Sequence, residues 1–83
     1  MGAAYQFDDL MISEEENYAL GIERVTGKRY ISVDVIDGDS ICPSHYEISD
    51  AEFTRLLDDP ASGQALARRC KAGEEEARLI REG

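Results

Sequence analysis

The hydrophobic pattern of this chain changes period once, and the change falls at Ser49. Before it, Tyr18, Leu20 and Ile22 alternate with Ala19, Gly21 and Glu23, and Ile31, Val33 and Val35 alternate with Ser32 and Asp34. After it, Phe53, Leu56 and Leu57 fall at i, i+3 and i+4. Period two is the mark of a half-buried strand and period 3.6 that of an amphipathic helix, because Cβ atoms alternate across a strand and spiral around a helix. The expectation is an α+β domain: an antiparallel meander of three or four strands, then two or three short helices on one face.

The strands are read over about residues 5–48. Tyr5 to Ile12 is a first run, broken by Asp8-Asp9, and Tyr18 to Arg24 a second. Gly21 inside it marks a bulge or a close neighbour. Arg29 to Ile36 is the most β-branched run, and Ile41 to Ile48 the last. Thr26-Gly27-Lys28 and Asp37-Gly38-Asp39 are hairpin turns, and such short connections demand antiparallel neighbours. Pro43 has no N–H for a ladder, which favours an edge or a bulge.

The helices are read over about residues 50–72. Ser49-Asp50-Ala51-Glu52 is a capping box, with Ile48 placed to staple onto Phe53. Pro60 ends the first helix. A second runs to Lys71, with Ala65, Leu66 and Cys70 as its apolar face, and stops at Gly73. Residues 73–83 read as a frayed tail, or as a short third helix from Glu74 to Arg81. Eighty-three residues make one domain, 1–83.

Charge narrows the function. Eighteen acids stand against nine bases, a net of −9. Residues 1–50 hold 11 acids and 3 bases, and residues 51–83 hold 7 and 6, so the acidity belongs to the sheet half. An acidic surface excludes direct electrostatic binding to nucleic acid and disfavours an anionic membrane. No apolar run reaches the roughly 18 residues that span a bilayer. The first nine residues lack the basic and apolar regions of a secretory signal, and Gln6 stands where myristoylation asks for Ser or Thr. The expected compartment is the cytoplasm, where Cys42 and Cys70 are thiols.

The motifs that could carry chemistry are incomplete. Cys42-Pro43-Ser44-His45 is a C-x-x-H, but zinc needs two further ligands and His45 is the only histidine. Residues three apart in a strand face opposite ways, which also weakens a Cys–His dyad. Cys42 then reads as a small core residue and His45 as a surface one. Asp34, Asp37 and Asp39 do not fit a calcium loop from either start. No phosphate-binding, nucleophile-elbow or zinc-protease motif is present. No catalytic residue, cofactor or metal is assigned.

What remains is a surface. Glu14, Glu15, Glu16, Glu23, Asp34, Asp37, Asp39 and Glu47 cluster on or beside the predicted sheet, and Tyr30 lies opposite Ile31 among acids. These nine residues are the candidate partner-binding set, with Tyr30 as an exposed aromatic anchor. Tyr18 shares parity with Leu20 and Ile22 and is read as core.

The segments Asn17 to Glu23, Thr26 to Ser32 and His45 to Ile48, with the capped helix after them, resemble a set of small bacterial proteins of unassigned activity over about residues 15–57. In size and charge only, the chain is similar to immunity proteins that neutralise toxins in bacterial competition. The expected function, argued from the acidic surface, is a non-enzymatic module of the immunity or inhibitor kind that occupies a basic site on a partner toxin or enzyme. The alternative is a homodimer or larger homo-oligomer with a structural or regulatory role, paired through an edge strand. A hydrolase centred on Cys42 and His45 ranks third.

Overall fold

The computed structural model describes residues 5–80, so the readings made at Gly2 and at residues 81–83 lie outside the described residues. Four strands, β1 (Phe7–Ser13), β2 (Tyr18–Glu23), β3 (Arg29–Asp37) and β4 (Ser40–Ile48), are followed by helices α1 (Asp50–Asp58) and α2 (Gln64–Lys71). The sheet order is β1-β2-β3-β4 with every pair antiparallel, a meander with β1 and β4 as edges.

Local chemistry accounts for the turns and caps. Asp37 pairs with Ser40, leaving Gly38 and Asp39 as a two-residue loop, and Gly38 has φ +62°. Glycine at the first central position with positive φ suits a II′ turn, whose twist matches the strands. Ser49 closes the capping box: its Oγ accepts from Glu52 N–H at 3.1 Å, and its own N–H donates to Glu52 Oε1 at 2.9 Å. After α2, Glu74 N–H donates to Arg69 O and Gly73 N–H to Cys70 O, with Gly73 at φ +79°. That pair of bonds is a Schellman stop.

Both helices cover one sheet face. Tyr18 and Leu20 of β2, Ile31 and Val33 of β3, and Tyr46 and Ile48 of β4 pack against Phe53, Leu56, Leu66, Ala67 and Cys70. Each large side chain so buried contributes about 1.5–3 kcal/mol. The helix register differs slightly from the sequence reading: Leu57 and Ala65 face solvent, and Ala67 is buried in place of Ala65. Two tyrosine hydroxyls fasten the helices to the sheet. Tyr18 donates to the Pro60 carbonyl, and Tyr46 donates to Cys70 O at 3.1 Å. Arg29 bonds Asp50 at 2.7 Å and lies over the Phe53 ring, holding the start of α1 to β3.

The tail departs from the frayed or helical expectation as far as residue 80. Only Glu76–Arg78 is helical, as one 3-10 turn. Arg78 donates to Glu52 Oε1 at 2.9 Å and to Glu75 Oε1 at 2.8 Å. Leu79 packs on the core and bridges Tyr46, and Ile80 N–H donates to His45 O at 2.8 Å. The segment returns along the outer edge of β4, where backbone groups would otherwise be unpaired. His45 therefore points its carbonyl outward. By strand alternation Pro43 takes the same orientation, where its missing N–H removes no ladder bond.

Candidate partner-binding face

The sheet face away from the helices is set by register. Ala19, Gly21 and Glu23 of β2 lie beside Ser32 and Tyr30 of β3, which in turn lie beside His45 and Glu47 of β4. On β1 the register shifts between Asp9 and Met11, so Leu10 is an extra residue. Met11 pairs with Leu20 on the helix side, while Asp9 pairs with Gly21 and Phe7 lies opposite Glu23 on the open side. An extra residue exchanges the faces on either side of it. The bulge thus delivers Phe7 and Asp9 to the open face.

There they seal one end of it. Tyr30 is 0% exposed and its hydroxyl donates to Asp9 Oδ1 at 2.5 Å. Its ring lies across Gly21, where a Cβ would stand 2.4 Å from the hydroxyl oxygen and 2.2 Å from Asp8 O. Phe7 stacks on His45, with ring centroids 3.6 Å apart and planes 11° apart, and meets Tyr30 edge-on at 5.3 Å. Burial, then the Asp9 bond and charge, push the Tyr30 phenol well above the usual tyrosine range.

Glu23 completes this end. It has no solvent exposure, and its carboxylate accepts from the backbone N–H groups of Gln6, Val25 and Thr26 and from Thr26 Oγ1, at 2.5–2.8 Å. Burial alone would raise its pKa. The hydrogen bonds outweigh that and hold it down to about 2, because acceptors of four donors are stabilised when charged. The carboxylate ties the start of β1 to the β2–β3 turn.

The other end carries the β1–β2 and β3–β4 turns and is open. Ile36 of β3 pairs with Ile41 of β4, and Ile12 of β1 pairs with Ala19 of β2. These three isoleucines are 75%, 66% and 67% exposed. With Ala19 and Pro43 they line a shallow groove of about 580 Å³. Asp9, Glu14 and Asp34 also line it, against one base, Lys71. Single exposed apolar residues are ordinary on a protein surface, whereas a grouped set rimmed by polar residues marks an interaction site.

The nine sequence candidates separate accordingly. Glu14 and Asp34 line the groove, Glu15 is exposed in the adjacent turn, and Asp39 is exposed at the hairpin tip. Glu16 is half-buried, with Oε2 shielded and without a hydrogen-bond partner. Glu47 is exposed at the sealed end, 3.8 Å from Lys28. The side chain of Asp37 lies outside the described residues. Two candidates are corrected. Tyr30 is not an exposed anchor, because Gly21 leaves room for its ring, which Phe7 and His45 meet edge-on. Glu23 is not a surface acid, because the turn consumes its carboxylate.

Sequence reasoning passed over Ile12, Ile36 and Ile41. The available signal was parity, since Ile36 follows Tyr30, Ser32 and Asp34 on the polar side of β3. The Cys42–His45 reading is also corrected. Cys42 pairs with Val35 on the helix side, beyond the reach of α1 and α2, and is exposed; His45 is half-buried under Phe7. They face opposite ways, as their spacing predicts. Cys70 is the buried thiol, and burial pushes it up to about 11. Both cysteines are free.

Among the described residues, no three His, Cys, Asp or Glu side chains converge on a metal position, and no helix is long and apolar enough to cross a membrane. Compared with protein-family models, curated proteins and solved structures, the chain matches none.

Proposed function

We propose that this chain is a non-enzymatic protein-binding module of the immunity or inhibitor kind, which uses the turn end of its open sheet face to occupy a basic site on a partner toxin or enzyme. The observation that carries this reading is the grouping of Ile12, Ile36 and Ile41, each at least 66% exposed, within an acid-rimmed groove. Isoleucines released from water on docking supply affinity, and the acids supply encounter rate and partner choice. The net charge of −9 favours a basic partner and opposes a second copy of the chain in the same place.

The test is capture from the source cell with the native chain and with a triple variant, Ile12→Ser, Ile36→Ser and Ile41→Ser. A basic protein is expected on the native chain and not on the variant. Its association rate should fall on the order of tenfold as salt rises from low to several hundred millimolar, since screening removes steering. A partner held equally by both chains, or an association rate indifferent to salt, sinks the reading.

A further inference from the structure

We infer that a short extended segment of the partner joins the sheet as a strand on the β2 side of β3, hydrogen-bonded to the main chain of Asp34 and Ile36. It carries an aliphatic residue and, two positions later, Lys or Arg. This rests on the protein-binding reading above and narrows what the partner presents.

The lane for such a strand is built into the register. Pairing of β2 with β3 ends at Tyr18 and Val33, whereas pairing of β3 with β4 runs on through Asp34, Val35 and Ile36 to Asp37. The outward His45 carbonyl fixes which way each residue points. Ser32, opposite His45, turns its N–H and C=O toward β2, and by alternation Asp34 and Ile36 do the same. Two N–H and two C=O groups of β3 thus face a position in line with β2 that β2 does not fill. Among the described residues none of the four has a backbone partner. The groove opens into the same gap: Ser32 and Ile36 line it from the open face, and Lys71 of α2 lines it from the helix side.

Unpaired edge groups are a template for an added strand, and strand addition is a recurring mode of peptide capture. The lane is short. Residues 34–37 span roughly 13 Å at strand rise, and the β1–β2 turn closes the far end.

The side chains choose the sequence. Residues directly across from Asp34 and Ile36 share their face of the sheet. The one across from Ile36 meets an aliphatic side chain backed by Ile41. The one across from Asp34 meets acid, with Glu14 also lining the groove. Antiparallel pairing is the stronger form and puts the residue at Ile36 first in the segment. The order is therefore aliphatic, any residue, base. A second copy of this chain offers Asp34 and Asp39 from the same hairpin and a net charge of −9, so like charges would meet.

The probe is a capped peptide, Thr-Ile-Thr-Lys-Thr, titrated into the full chain while amide and Hα resonances are followed. Shifts centred on the Asp34 and Ile36 amides are expected. A cross-strand contact between Val35 Hα and that of the central Thr is also expected, since this pair is the close, non-bonded kind. N-methylation of the peptide's Ile and Lys, which face β3, should weaken binding by roughly tenfold or more. N-methylation of the central Thr, which faces away, should leave it unchanged. Glu in place of Lys should weaken it as the paired methyl groups do. Ile36→Pro removes one edge N–H without touching the β4 ladder, and that chain, checked for an unchanged melting curve, should not bind. The methylated peptides decide the matter even where the proline variant does not fold.

Binding indifferent to methylation at Ile and Lys places the segment on the sheet face and overturns the proposal. Equal binding of the Glu peptide overturns the basic position. Concentration-dependent shifts at the Asp34 and Ile36 amides without peptide overturn it in favour of a second copy. If the peptide fails while the native partner is still captured through the isoleucines, this inference falls and the protein-binding reading stands. If capture is also insensitive to them, both fall.

Discussion

At one end of the open face Tyr30 lies over Gly21, Phe7 stacks on His45, and Glu23 gathers four donors beneath the turn. At the other end β1, β3 and β4 present Ile12, Ile36 and Ile41 to solvent. The pleat is common to both ends, although at the open end β3 and β4 run on past β2 beyond Val33. The difference is supply: the Leu10 bulge turns Phe7 and Asp9 onto the open face at one end only. The chain thus has the means to cover this face and covers half of it. The covered half serves stability, and the uncovered half is the face on which we propose a partner docks.

Substitutions at the two ends should therefore separate, the first group lowering stability and the second sparing it. The largest effect is expected at Gly21. In Gly21→Val the new Cβ meets the Asp8 carbonyl at 2.2 Å, a backbone atom that yields only if β1 moves. Overpacking of this kind costs about 3 kcal/mol or more, a fall of roughly 12–24 °C in melting temperature by circular dichroism. A small change would mean that β1 is loosely held and the sealed end is not sealed.

Next comes acid. The folded pKa of Glu23 lies at about 2, below its ordinary 4.5, so the unfolded chain takes up this proton first as pH falls. Its contribution is complete above about pH 4.5 and is lost toward pH 2. Glu23→Gln should lower the melting temperature at neutral pH and flatten its decline across that window. An equal slope in both chains would assign acid sensitivity to other carboxylates, such as Glu52, which Arg78 and the Ser49 N–H hold below the usual range.

Tyr30→Phe keeps the ring and removes the bond to Asp9, with an expected loss of about 1 kcal/mol in denaturant unfolding. The smallest effect is expected at the open end. Ile36→Ser should change stability by no more than about 0.5 kcal/mol, because the side chain is 75% exposed. A large loss there would place Ile36 in the fold's own packing and erase the contrast between the ends.

Much of the fold could be read from local rules. The shift of period at Ser49, the capping box, Gly38, Gly73 and the edge position of Pro43 depend on neighbours within a few residues, and each appears in the structure. The site was less legible because its determinants are not local. A single bulge reverses the facing of everything before it, and nothing in Phe7-Asp8-Asp9-Leu10-Met11 announces one. Tyr30 was placed on the correct face, but its burial depends on a glycine directly across on β2. Glu23 has the parity of a surface residue, and its burial follows from donors on Gln6, Val25 and Thr26. Ile36 and Ile41 were legible as apolar residues on a polar side, and were read as ordinary strand formers.

The return of Leu79 and Ile80 along β4 bears on how a patch of bare isoleucines can be carried safely. A flat sheet with apolar residues on its face invites copies to add strand to strand and stack into a fibre. Here the outer edge of β4 is taken at His45 and Tyr46 by the returning chain and lacks a donor at Pro43. The edge of β1 is interrupted at Leu10. Neither outer edge offers an unbroken ladder for a copy to extend, so strand-to-strand growth at β1 and β4 is opposed; the β2 side of β3 beyond Val33 lacks this protection.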